Sequence, residues 1–171
     1  MSNNVILRYG VIGGLLVAAL MLVGLVMIGQ GLSYGLAELF GYLSMLIAFS
    51  SIFLAIRKVR DQDMNGSISF GKAFKTGILI TLIVSTIYVA AWMGYVLLNG
   101  NTFMETYFQD SRHTIESSGK SAEEIASLIA SLENMKEMYK NPLVQVLIAF
   151  LEIFPVGALV SLVSAFLLRK K

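Results

Sequence analysis

One carboxylate in this chain stands where a carboxylate is costly. Glu152 lies in the run Phe150-Leu151-Glu152-Ile153-Phe154-Pro155-Val156-Gly157, inside a long apolar stretch. Counted from Leu143, it sits about 14 Å along a helix at about 1.5 Å per residue. That is near the middle of a hydrocarbon core about 30 Å thick. No basic residue lies within an apolar stretch to pair with it. Desolvation disfavours the charged form, so a largely neutral side chain is expected, donating one hydrogen bond and accepting others. Pro155 lacks an N–H, which frees the Leu151 carbonyl and should kink the helix. Gln145 and Asn141 fall within about 20° of the Glu152 direction on a helical wheel, giving a polar stripe from the outer surface to mid-membrane. Tyr88, Ser85 and Thr86 on one other apolar stretch, and Tyr42, Ser44 and Ser50 on another, lie at reachable depth. Two chemistries fit: an interhelical hydrogen bond that locks a bundle, or uptake and release of a proton.

Other chemistry is weaker. Gly66-Ser67-Ile68-Ser69-Phe70-Gly71-Lys72-Ala73 nearly matches a phosphate-cradling loop, but Ala73 lacks the hydroxyl that would hold magnesium and no strand precedes the loop. It reads as a turn and helix start. His113 is the only histidine, with Asp110 and Glu116 three residues to either side, and reads as part of a solvated helix rather than a metal site. No Gly-x-Ser-x-Gly turn is present, and there is no cysteine for a disulfide or thiolate metal site. No catalytic residue, cofactor or metal is expected, and no enzyme activity. Arg57, Lys58, Arg60, Lys72 and Lys75 form a basic cluster suited to setting orientation and attracting anionic lipid headgroups. Aromatics do not interleave with it and no nucleic-acid-reading module accompanies it, so no nucleic-acid partner is expected.

The elements that must position these groups are apolar helices. Of 171 residues, 56% are hydrophobic and 14% charged, with a mean hydropathy of +0.74. Soluble domains carry about 25% charged residues. The expected fold class is all-α: an integral membrane four-helix bundle, one domain over 1–171. Its spans are expected at about 9–28, 36–56, 76–98 and 143–168. The first is too long for the core of a cleaved signal peptide. Gly10 and Gly14 give it a small-xxx-small face, and Gly157, Ser161 and Ala165 form a small-residue stripe in the inner half of the fourth. Ser69 is a plausible N-cap for an amphipathic lead-in to the third span, after a turn at Asn65-Gly66.

Residues 101–141 form the one sizeable segment outside the bilayer. Thr102 to Glu105 and Ser121 to Glu124 both match the capping box. Met104, Tyr107, Phe108, Ser111 and Ile115 line one helix, and Ile125, Leu128, Ile129, Leu132, Met135 and Tyr139 a second. The expectation is an extracytoplasmic helical hairpin with one apolar stripe per helix, meeting each other, the bilayer or a partner. Nine of the thirteen lysines and arginines lie on the side of the termini and the middle loop. Both termini are therefore expected in the cytoplasm, with the hairpin outside.

Gly66 to Gly77, Lys136 to Pro142 and Phe150 to Gly157 resemble a bacterial family of small four-span membrane proteins catalogued as domain of unknown function 4199. The likeness covers nearly the whole chain. It implies a four-helix fold in a bacterial inner membrane. It implies no activity, and no functional residues carry over from it. The favoured reading is a scaffold or accessory interaction protein, binding a second copy or a membrane partner through 101–141. The alternative is a small proton-linked transporter or permeation unit using Glu152.

Overall fold

The computed structural model describes residues 2–100 and 102–170. Met1, Asn101, which bounds the expected hairpin, and Lys171 lie outside the described residues. Among the described residues six α-helices follow one another: α1 (Ser2–Gly29), α2 (Tyr34–Lys58), α3 (Phe70–Asn99), α4 (Thr102–Glu116), α5 (Ala122–Tyr139) and α6 (Pro142–Leu168). α2 runs on into a wider π-helical turn over Val59–Asp63. Helices α1, α2, α3 and α6 are long and apolar enough to cross a membrane. Each expected span falls inside one of them. The lead-in to the third span is not a separate element. α3 is continuous from Phe70, since no proline interrupts it, and Ser69 Oγ accepts from the Lys72 N–H at 3.4 Å. The expected turn is present, with Asn65 and Gly66 both at positive φ.

The chain divides into two compact units. The first holds 1–91 and 149–171, which is α1, α2, most of α3 and the later part of α6. Between apolar helices in lipid there is little hydrophobic drive, so close van der Waals packing decides who pairs with whom. α1 buries Gly10, Gly13, Gly14, Val17, Ala18 and Gly24 along one side. A Cβ on Gly10 would come within 2.9 Å of Ile83, and one on Gly14 within 2.6 Å of Ile87, so α1 lies parallel on α3. Gly13 meets Ser51 and Gly24 meets Phe40, so α1 runs antiparallel to α2. The expected stripe on α6 is also filled. A Cβ on Gly157 would lie 2.5 Å from Thr81 Cγ2 and 2.6 Å from Phe49 Cζ. Ser161 packs on Gly77, and Ala165 is fully buried. α1 and α6 thus each pack on both α2 and α3, around Phe49, Ile52, Ile80 and Val84.

At one end of this unit the chain closes on itself. Ile68 N–H donates to the Lys170 carbonyl and Lys170 N–H to that of Ile68, both at 3.0 Å. Ser67 Oγ donates to the same Lys170 carbonyl at 2.9 Å. Ile68 and Leu168 are buried beneath this bridge. Lys58 lies over the Tyr9 ring at 5.9 Å.

The second unit is 92–148. The Ser121 capping box forms: Glu124 N–H donates to Ser121 Oγ at 3.3 Å, and Ser121 N–H to Glu124 Oε2 at 3.2 Å. At the other predicted box, Thr102 already belongs to the helix, and its hydroxyl donates to the Asn99 carbonyl instead. α4 and α5 meet where Phe108 and Tyr139 pack edge to face at 6.3 Å, and where Arg112 bridges Glu116 and Glu133. Those exposed ion pairs add little to stability. Met104, Phe108, Ser111 and Ile115 are the covered side of α4, while Tyr107 is exposed. On α5, Ile125, Ile129, Leu132 and Tyr139 are covered, but Leu128 and Met135 are exposed together with Met138. A single neighbouring helix covers only part of so wide an apolar stripe.

Candidate functional site

Glu152 sits on an exposed face of α6 in the first unit, with its carboxyl reaching Tyr88 of α3. Its neighbours along that face are Leu151, Pro155 and Leu159, all exposed. Tyr88 on α3 is buried, and its hydroxyl donates to Glu152 Oε2 across 3.4 Å. This is a long bond, near the limit at which such contacts count. Glu38, on the first turns of α2, lies within electrostatic range of Glu152. It is exposed. α6 passes through Pro155 as one helix.

Of the other groups at reachable depth, three turn back on their own helices. Ser44 donates to the Phe40 carbonyl, Ser50 to Ile47 and Thr86 to Leu82. That is the usual refuge of a small hydroxyl in a helix without a better partner. Tyr42 is exposed. Ser85 differs: it is fully buried, and its hydroxyl has no hydrogen-bond partner among the described residues. Deeper along the same α3 face, Thr81 Oγ1 meets Ser161 Oγ at 3.1 Å. Of the predicted polar groups, the structure joins only Tyr88 to Glu152 in a described hydrogen bond.

Gln145 and Asn141 belong to the second unit, and their described bonds are local. Gln145 is buried, and its Nε2 donates to the Tyr139 carbonyl at 2.8 Å. Asn141 Oδ1 accepts from the Leu143 N–H at 3.0 Å, capping the start of α6. These two side chains join the end of α5 to the beginning of α6 by satisfying terminal backbone groups that would otherwise be orphaned. Beside them Trp92 Nε1 donates to the Tyr139 hydroxyl at 3.2 Å, with Phe103 edge-on to the indole at 5.8 Å.

The basic residues gather at the bridged end of the first unit. Arg60 Nε pairs with Asp61 at 2.7 Å and Arg57 with the same carboxylate at 3.7 Å. Arg60 Nη1 also reaches the Leu168 carbonyl at 3.5 Å. Lys72 and Lys75 are exposed on the first turns of α3. The phosphate-loop lookalike runs from the Asn65-Gly66 turn through the Ile68 bridge into α3. Glu116, one member of the His113 trio, is taken by Arg112.

A family model described as protein of unknown function (DUF4199) matches residues 8–170. The chain belongs to this family. No curated protein and no solved structure matches it. The DUF4199 match takes in most of α1, all of α2, α3 and α6, and both Glu152 and Tyr88, so the site lies inside the family's own unit.

Proposed function

We propose that this DUF4199 chain is an interaction protein of the bacterial inner membrane, an accessory subunit or scaffold, rather than an enzyme. The observation that carries the reading is Glu152, a carboxyl residue exposed on the apolar helix α6 with Tyr88 as its hydrogen-bond donor. A carboxyl group facing hydrocarbon is costly, and covering it with a polar group of a partner helix removes that cost. The exposed row Leu128, Met135 and Met138 on α5 supports the same reading, because methionine-rich apolar faces suit adaptable contacts. In this reading both termini are cytoplasmic and α4–α5 lies outside, the orientation that the lysine and arginine distribution favours. The partner is a second copy or another membrane protein.

The chain has no cysteine, so single-cysteine variants give clean crosslinks. Cysteine at Leu151 or Met135 should trap a dimer or a partner adduct in native membranes. Monomer alone under every condition would sink the reading.

One observation favours a second reading, a proton-linked permeation unit. Ser85 places an unpartnered, fully buried hydroxyl one helical turn inward of Tyr88. Glu152→Gln keeps the hydrogen bonding and abolishes titration. Full rescue of a deletion phenotype by that variant removes the proton role and leaves the interaction role standing.

A further inference from the structure

The bridge between Ile68 and Lys170 does more than tidy a chain end. It fixes Arg169 and Lys170, which a free tail would let wander, beside the ends of α2 and α3. Ser67 Oγ and Arg60 Nη1 hold the same segment through the Lys170 and Leu168 carbonyls. Lys72 follows the bridged Ile68 by four residues, and Lys75 lies one turn further on. Arg57 and Arg60 come from the end of α2 and its π-helical turn. Three separated stretches of sequence thus deliver their cations to one end of the unit. Only Asp61 and Asp63 oppose them in the turn that joins α2 to α3. Asp61 sits among them, bonded to Arg60, close to Arg57 and within electrostatic range of Lys170. Arg57, Lys72, Lys75, Arg169 and Lys170 are all exposed.

We infer that this bridged basic end is a binding site for anionic phospholipid headgroups, completed by Arg169 and Lys170. The cations stand where the apolar spans end, the depth at which lipid phosphates lie, which favours a lipid over a soluble anion. A flexible tail would lose entropy on binding; a tail already bridged to Ile68 loses less. Asp61 acts against the site, because it neutralises two of its arginines. The site stands whether or not Glu152 meets a partner.

The test uses the full chain in mixed micelles, titrated with phosphatidylglycerol or phosphatidylcholine and read by native mass spectrometry. Phosphatidylglycerol should be retained in preference to phosphatidylcholine. Each cation near a charged surface contributes about 1 kcal/mol, which is about fivefold in affinity. R169Q/K170Q should therefore weaken phosphatidylglycerol binding by about 25-fold on the same per-charge scale. Asp61→Asn should strengthen it, a gain that a merely structural role for the network would not give. Circular dichroism of each variant checks that the helices persist. Equal retention of the two lipids, or unchanged binding in both variants, would overturn the inference. So would displacement by inorganic phosphate at concentrations matching the lipid, which would assign the cluster to a free anion.

Discussion

Thr81 and Ser161 bring their hydroxyl oxygens to 3.1 Å from each other at the crossing of α3 and α6, both fully buried. One of the two donates across this contact, and the hydroxyl that does not donates along its own helix, Thr81 to the Gly77 carbonyl or Ser161 to that of Gly157. The glycines that accept these bonds are the same ones that let the two backbones approach. Packing and polar satisfaction are therefore settled at one place by four small residues.

The cross-helix term should be measurable by a double-mutant cycle on Thr81→Val and Ser161→Ala, using reversible unfolding in mixed micelles. Hydrogen bonds of this kind between membrane helices average about 0.6 kcal/mol. A coupling energy of that order is expected. Additive effects would mean that each hydroxyl is satisfied by its own helix alone.

Glycine positions separate into filled and open ones. Gly157→Ala puts a methyl group against Thr81 and the Phe49 ring, at distances no relaxed contact tolerates. Overpacking of this kind costs about 1–3 kcal/mol. Gly41→Ala, by contrast, meets nothing within 4 Å. It should be neutral, or stabilising by up to about 1 kcal/mol through helix propensity. The thermal midpoints of the two variants in detergent should fall on opposite sides of, or below and level with, that of the parent chain.

Trp92 is the single tryptophan, so its fluorescence reports on one site. Tyr139→Phe keeps the ring against Phe108 but removes the oxygen that accepts the indole N–H. A buried donor left without its partner costs about 1–3 kcal/mol. Loss of stability together with a blue shift in emission is expected. An unchanged spectrum would show that the indole N–H is satisfied in another way.

How much of this was legible beforehand differs from residue to residue. The small-residue faces were legible because close approach of helices admits few side chains. Gly10 and Gly14, and Gly157, Ser161 and Ala165, all lie at contacts or in the core. What they touch was not legible: Gly10 meets a β-branched Ile83, not another glycine. The stripe of Asn141, Gln145 and Glu152 was legible as spacing. Its two outer members nonetheless bond to Leu143 and Tyr139, because the turn between α5 and α6 leaves backbone groups within their reach. The Ile68–Lys170 bridge had no signal at all. A single antiparallel pair between distant residues leaves no period in the sequence.

By itself the sequence determined the class of protein and the number of its long apolar helices. Hydrophobic length and charge placement are local properties, and each helix satisfies its own backbone. Only the tertiary structure decided that Tyr88 is the group that meets Glu152 and that Lys170 is bridged to Ile68 in the loop before α3. Those outcomes depend on the rotation and register of one helix against another, which are set by where small side chains let backbones touch.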